Sequence, residues 1–153
     1  MTTSTPQNPA TTPLGPGALQ LDRTTVVHLS SDLSMAALRM ADGAWSRRDV
    51  PAQFADGRLL SVFGYEETWT WWERHPDGEE FVHVLFGSVV FRLDDGSAER
   101  AVPLDAGQSL LVPAGVWHSA DIVAPAEVLF VTPVPARTAH RDRRGPLAKV
   151  HHG

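Results

Sequence analysis

The composition of this 153-residue chain excludes several classes of chemistry. The chain has no cysteine, which rules out disulfides, thiolate metal sites and cysteine nucleophiles. Its net charge of −5 disfavours general nucleic-acid binding, because proteins that grip the phosphate backbone carry excess positive charge. No apolar run approaches the ~18 residues of a membrane span, and the N-terminal sequence lacks the pattern of a signal peptide. We therefore expect a cytoplasmic protein with neither nucleic acid nor membrane as a partner.

The first segment, residues 1–21, is rich in Thr, Pro and Gly and has no charged side chain. Such a segment buries too little apolar surface to offset its ordering entropy, so we predict a disordered tail. A β-prone run follows at 24–29. The next stretch, residues 30–40, is compatible with one short helix that has Ser31 or Asp32 as its N-cap.

Strands dominate the central part of the sequence, residues 22–136, which we predict to be one domain. Short β-prone runs recur there with turn signals between them, which is typical of a sandwich or barrel. The runs cover residues 24–29, 58–65, 69–75, 80–86, 88–94, 109–113 and 126–133. The predicted fold class is therefore all-β. Residues 137–153 hold five basic side chains and one acidic side chain, and we expect a second, basic and disordered tail.

Alternation along the strands predicts which side chains point inward, because residues two apart share a face. One face carries Trp69, Trp71, Glu73 and His75. In the next strand Glu80 shares a face with Val82, Val84 and Phe86. The apolar positions after Gly87 (Val89, Phe91 and Leu93) have the opposite parity, which predicts a bulge at this glycine. His83 lies opposite Glu80, where we expect a packed or interfacial histidine.

Glu73, His75 and Glu80 would converge if the turn at 76–79 folds the second strand against the first. His118, which ends the run GQSLLVPAGVWH, is a fourth candidate. Two histidines and two carboxylates inside a barrel suit a divalent metal of borderline or hard preference. The alternative is a metal-free barrel in which the four side chains pair with one another.

These spacings resemble the two motifs of the cupin family, G-x5-H-x-H-x(3,4)-E-x6-G and G-x5-P-x-G-x2-H-x3-N. The first is matched by Glu73, His75, Glu80 and Gly87, and the second by Gly107, Pro113, Gly115 and His118. The resemblance covers roughly residues 25 to 135. It implies a double-stranded β-helix, or jelly roll, with one divalent metal ion per chain bound by Glu73, His75, Glu80 and His118. Fe, Mn, Zn and Ni all remain open as the ion. The resemblance also implies a homodimer.

The sequence departs from the family pattern at the first ligand, where Glu73 stands in place of histidine. The opening Gly of the first motif and the closing Asn of the second are also missing, although neither is a ligand. With Glu73 the set neutralises a divalent ion and makes it a weaker Lewis acid. We therefore expect Glu73 to be a weak or conditional ligand. Either Glu73 or Glu80 could leave the metal and act as a general base.

Fold alone does not determine the reaction. Trp69 and Trp71 point the same way as the ligands, so they form either plain core or a wall for an apolar or aromatic molecule. The leading hypothesis is a small metal-dependent enzyme of the dioxygenase, isomerase or lyase type. Glu73 and Glu80 would be catalytic, and Trp69 and Trp71 would bind the small organic substrate. The alternative is a non-catalytic binding or sensing domain with a structural metal. A phosphosugar substrate is disfavoured, because no inward Lys or Arg is evident.

Overall fold

The structure is a computed structural model that describes residues 11–40, 56–134 and 138–143. All regular elements in these ranges are strands, which confirms the all-β class. The strands are β1 (Thr11–Pro13), β2 (Thr25–Leu29), β3 (Met35–Met40), β4 (Arg58–Tyr65), β5 (Trp71–Arg74), β6 (Glu80–Asp94), β7 (Glu99–Asp105), β8 (Ser109–Val112), β9 (Trp117–Pro133) and β10 (Ala139–Asp142). None of the described segments is a helix long and apolar enough to cross a membrane.

Two long strands, β6 and β9, form the backbone of the jelly roll. They have 15 and 17 residues and pair antiparallel, from Phe81 opposite Val131 to Asp94 opposite Trp117. β6 also pairs with β7 and β8, whereas β9 also pairs with β4 and β5. Because each long strand exchanges hydrogen bonds with several neighbours, the sheet curls around one interior. The predicted jelly roll is confirmed.

The interior is filled by the inward faces of these strands. Valines and aromatic rings dominate, as expected for half-buried strands. The most buried of them are Val82, Val84, Val89, Phe91 and Val128. Each such side chain contributes about 1.5–3 kcal/mol when it is removed from water. This core continues to Trp69, whose ring centroid lies 6.5 Å from that of His118, so the apolar packing ends at the candidate site.

β6 contains the predicted bulge at Gly87. Its register with β9 shifts at three points between Val84 and Val89, and Gly87 has a φ of 80°. The shift allows both valines to be buried although they are five positions apart. The expectation that Phe86 shares the inward face of Glu80 is wrong, because the bulge turns Phe86 outward and leaves it 66% exposed.

The helix considered for residues 30–40 does not form. Residues 30–34 make a tight turn in which the backbone N–H of Ser30 donates to the carbonyl of Ser34, and that of Leu33 donates to the carbonyl of Ser30. Leu33 has a φ of 72°. Asp32 accepts hydrogen bonds from the backbone and hydroxyl of Ser34, so it stabilises a hairpin turn between β2 and β3. Leu38 and Met40 are both buried and lie two residues apart, which is the alternation expected of a strand.

Parts of both predicted tails belong to the sheet. β1 pairs with β3, and β10 pairs with β5. The prediction of disorder is therefore wrong for Thr11–Pro13 and Ala139–Asp142, where unpaired backbone groups of neighbouring strands supply partners that the local sequence does not reveal. Residues 1–10, 137 and 144–153 of the predicted tails lie outside the described residues, and disorder there stays a prediction.

We predict that Gly87→Ala is far more destabilising than Gly96→Ala, although both glycines have left-handed backbone angles. A Cβ at Gly87 would lie 2.1 Å from the carbonyl oxygen of Pro125, whereas a Cβ at Gly96 meets open space. The left-handed conformation alone costs about 1–2 kcal/mol, so Gly96→Ala should lose that much and Gly87→Ala at least about 3 kcal/mol. Denaturant unfolding measures both losses. Equal losses would contradict this account of the bulge.

Candidate metal centre

Four side chains converge at one end of the barrel interior, and they are the four that the sequence predicts. One ligating atom from each of Glu73, His75, Glu80 and His118 lies within 4.8 Å of the others. Glu73 belongs to β5, His75 follows it directly, Glu80 opens β6 and His118 lies near the start of β9.

Backbone pairing explains this convergence. Glu73 of β5 is the cross-strand partner of His118 in β9, so their side chains share a face. The turn of the second motif is tied to the first, because the backbone N–H of Gly115 donates to the carbonyl of His75 at 2.9 Å. Gly115 has a φ of 78°, which favours glycine. The two motifs thus describe one continuous structural unit.

The facing atoms are close but not hydrogen-bonded. His118 Nε2 lies 3.1 Å from Glu80 Oε1 and 3.3 Å from Glu73 Oε1, and His75 Nε2 lies 3.2 Å from Glu80 Oε2. Both Nε2 atoms and Glu80 Oε1 are buried without a hydrogen bond in the part of the chain described. Buried polar atoms normally have partners. Two imidazoles and two carboxylates aimed at one point fit a divalent ion as the common partner.

The second ring nitrogen of each histidine, Nδ1, also has a polar neighbour. His75 Nδ1 lies 2.9 Å from Thr138 Oγ1, and His118 Nδ1 lies 3.3 Å from the carbonyl oxygen of Val116. With the proton on Nδ1, each ring donates to that oxygen and turns the lone pair of Nε2 toward the centre. Such outer contacts fix both the tautomer and the orientation of a metal-binding histidine.

The carboxylates have outer partners too. The hydroxyl of Thr132 donates to Glu80 Oε2 at 2.6 Å, and His140 Nε2 lies 3.2 Å from Glu73 Oε2. Thr138 and His140 were both missed because residues 137–153 were predicted to be a tail. Their separation of two, which places both on one face of a strand, was the available signal.

The charges of the four groups are strongly coupled. Burial alone would lower the pKa of His75 and His118, but Glu73 and Glu80 outweigh it and raise these pKa values to about 9 and about 10. Burial likewise opposes ionisation of the two glutamates, yet the histidines hold the pKa of each below its ordinary value. In the metal-free centre these pKa shifts favour protonated imidazoles that face ionised carboxylates. A divalent ion would replace two protons.

The cluster opens into a cavity of about 440 Å³. Its walls are mainly aromatic, formed by Phe63, Tyr65, Trp69, Trp71 and Phe130. The rings of Trp69 and Trp71 stack at 4.9 Å and 12°. Trp69 is only 3% exposed and also packs in the core, whereas Trp71 is partly exposed. Both tryptophans predicted to bind substrate thus line the cavity, and they do not fill it.

An arginine borders the cavity, although the sequence predicts no inward Lys or Arg, and this arginine is an exposed residue. Arg23, just before β2, lines it with its guanidinium 5.9 Å from the ring centroid of Phe63. Arg23 precedes β2, which pairs with β4, and β4 supplies Phe63 and Tyr65 to the cavity wall. His83 lies outside the cluster, with Nδ1 2.7 Å from Ser109 Oγ.

Comparisons with known proteins place this geometry in a family. Residues 61–132 match the family model described as Cupin domain. A search of curated proteins gave no match. A cupin-2 domain containing protein from Shewanella frigidimarina NCIMB 400 is 21% identical, with a TM-score of 0.44, and the alignment covers 50% of this chain and 71% of that chain.

Two enzyme structures are also similar. Hydroquinone 1,2-dioxygenase from Sphingomonas sp. TTNP3, with 4-hydroxybenzoate bound, is 20% identical (TM-score 0.42; 52% of this chain and 60% of that chain). Hydroxypropylphosphonic acid epoxidase from S. wedmorenis is 19% identical (TM-score 0.43; 49% and 43%). The alignments span less than two-thirds of either enzyme. The family-model match, on a jelly roll that carries both motifs, shows that residues 61–132 of this chain are a cupin domain.

Proposed function

We propose that this cupin is a metal-dependent enzyme that acts on a small apolar or aromatic organic molecule at a mononuclear centre. The observation that carries the proposal is the opening of the four-ligand cluster into an aromatic cavity of about 440 Å³. That volume is typical of sites for small organic ligands. Glu73, His75 and Glu80 belong to the cluster and also line the cavity. A molecule bound in the cavity would therefore lie directly against the ion.

In this proposal the ion, Trp71, Glu80 and Glu73 have different roles. When bound, a divalent ion such as Fe, Mn, Zn or Ni would supply Lewis-acid or redox chemistry. Trp71 offers a partly exposed ring on which a flat substrate stacks. Glu80 is 1% exposed and fixed by Thr132, which suits a permanent ligand. The side chain of Glu73 is 16% exposed and borders the cavity, so Glu73 is the better candidate for taking a proton from substrate.

Arg23 extends the proposal to the chemistry of the substrate. Its positive charge lines the same cavity as the aromatic walls. A hydroxylated aromatic acid would stack on the rings, place an oxygen at the ion and direct its carboxylate toward Arg23.

The second candidate is a binding or sensing protein with a structural metal. It is favoured by the position of Glu73 Oε1, 3.3 Å from the Nε2 atom of His118 and aimed at the same point as the other ligands. If Glu73 stays bound, fewer positions remain for substrate or oxygen. In both cases we expect a homodimer.

We predict that the protein binds one divalent ion per chain and that the double variant with His75→Ala and His118→Ala loses it, because both imidazole ligands are removed. Elemental analysis after purification measures the metal directly. His83→Ala is the matched control, since it removes a histidine outside the cluster and should keep the metal. Equal metal content in the double variant and the wild type would contradict the assignment.

We predict that metal binding releases close to two protons per ion at about pH 7, because His75 and His118 are protonated in the metal-free centre and must become neutral to ligate. The raised pKa values set the sign, so the apparent affinity should rise with pH and level off above about pH 10. Calorimetric titration with Co(II) in buffers of different ionisation enthalpy counts the protons. Binding without proton release and with a pH-independent affinity would be inconsistent with these charges.

We predict that Glu73→Gln keeps most of the metal but lowers turnover by about 100-fold or more, as expected for loss of a general base. The assay is oxygen uptake by the Fe(II)-loaded protein with a panel of hydroxylated aromatic acids. Glu79→Gln is the control, because Glu79 is an exposed carboxylate of the turn outside the cluster. Complete loss of metal in Glu73→Gln would make Glu73 an essential ligand. Wild-type binding of these acids without turnover would favour the sensing protein.

A further inference from the structure

Strand β10 has one face toward the cavity and one face toward neighbouring strands. His140 is the cross-strand partner of Glu73, and Arg141 is the partner of Trp72. The inward side chain of His140 lines the cavity, as does Thr138 two residues earlier. Both make the outer contacts described above, Thr138 with His75 and His140 with Glu73. Two of the four candidate ligands are therefore held by residues of 138–140.

The outward face of β10 anchors the strand. The guanidinium of Arg141 lies 4.5 Å from the ring centroid of Trp117 and 5.1 Å from that of Trp72, and it pairs with Asp94 at 2.6 Å. Cation–π contacts of this type hold a side chain against an aromatic surface. The next turn of chain is fixed as well, because the backbone N–H of Arg143 donates to the carbonyl of Thr70 at 2.9 Å. These contacts join β10 to β5, β6 and β9.

We propose that β10 is a positioning element of the metal centre, in which Thr138 orients His75 and His140 restrains Glu73, with Arg141 as its anchor. The proposal rests on the metal site of the proposed function and extends it to residues that neither motif contains. The Oγ1 atom of Thr138 accepts a hydrogen bond from the Nδ1–H of His75, which leaves Nε2 for the ion. His140 Nε2 lies beside Glu73 Oε2, which leaves Oε1 as the oxygen that faces His118.

This arrangement gives Glu73 a second partner beside the ion. With Oε2 beside His140 and Oε1 facing His118, Glu73 would offer a single oxygen to a bound ion. Removing His140 would free both oxygens and change the ligand geometry. Removing the Thr138 hydroxyl would instead loosen the ring of His75. Both changes act on the ligands, not on the apolar core, so they should alter metal binding without matching losses of stability.

The test is a titration of the metal-free full-length chain with Co(II) alone, followed by visible absorption. Thr138→Val and His140→Leu should each weaken Co(II) binding by about tenfold or more, as is usual when an outer partner of a ligand is removed. His140→Leu should also change the shape of the Co(II) band, because Glu73 is reoriented. The conservative variants Thr138→Ser and His140→Gln, which retain a hydroxyl and an N–H donor, should bind within about threefold of wild type.

Arg141→Met tests the strand as a unit, because Arg141 anchors β10 through Trp72, Trp117 and Asp94, which are not candidate ligands. It should weaken Co(II) binding as well, whereas the surface control His83→Ala should not. Melting temperatures of the metal-free variants separate loss of the fold from loss of positioning. Wild-type affinity and band shape in Thr138→Val and His140→Leu would overturn the proposal. So would equal losses in the conservative variants. Absence of Co(II) binding by the wild type would instead overturn the proposed function.

Discussion

Two carboxylates lie inside an apolar barrel, and their negative charge has to be balanced there. Burying an ionised carboxylate without a partner costs so much free energy that the group takes up a proton instead. In this protein the balance comes from His75 and His118, whose raised pKa values favour protonation of both rings in the metal-free centre. A divalent ion would replace those two protons with no change in total charge. The centre is electrically neutral in both states, so the surrounding fold can be the same in both.

The jelly roll provides the rigidity that this balance requires. Glu80 and His118 belong to β6 and β9, the long paired strands that also carry most of the core. Glu73 lies directly across from His118 on β5. A shift of one residue in any of these pairings would turn a ligand out of the centre, because strand side chains alternate. The bulge at Gly87 confines the irregularity of β6 to the stretch beyond Glu80, and the register at the ligand end is undisturbed.

The sequence was informative where local periodicity decides the outcome. Inward alternation identified Glu73, His75 and Glu80, and the parity change predicted the bulge. It was uninformative where distant partners decide. Phe86 turned outward because of that bulge, and Asp32 stabilises a hairpin turn although the same residue type caps helices. Thr138 and His140 lie in a polar segment with little β propensity, and their placement depends on Trp72, Trp117 and Asp94 elsewhere in the chain. Arg23 borders the cavity beside Phe63 of β4, a neighbour that the local sequence does not specify.

The position of β10 along the chain also has a consequence for biosynthesis. A ribosome delivers the chain from its N-terminus, so β2 to β9 emerge before Thr138 and His140. The ligands can meet as soon as β9 pairs with β5 and β6, but the outer contacts to His75 and Glu73 form only when β10 arrives. The nascent barrel would therefore hold an ion less firmly than the finished protein does.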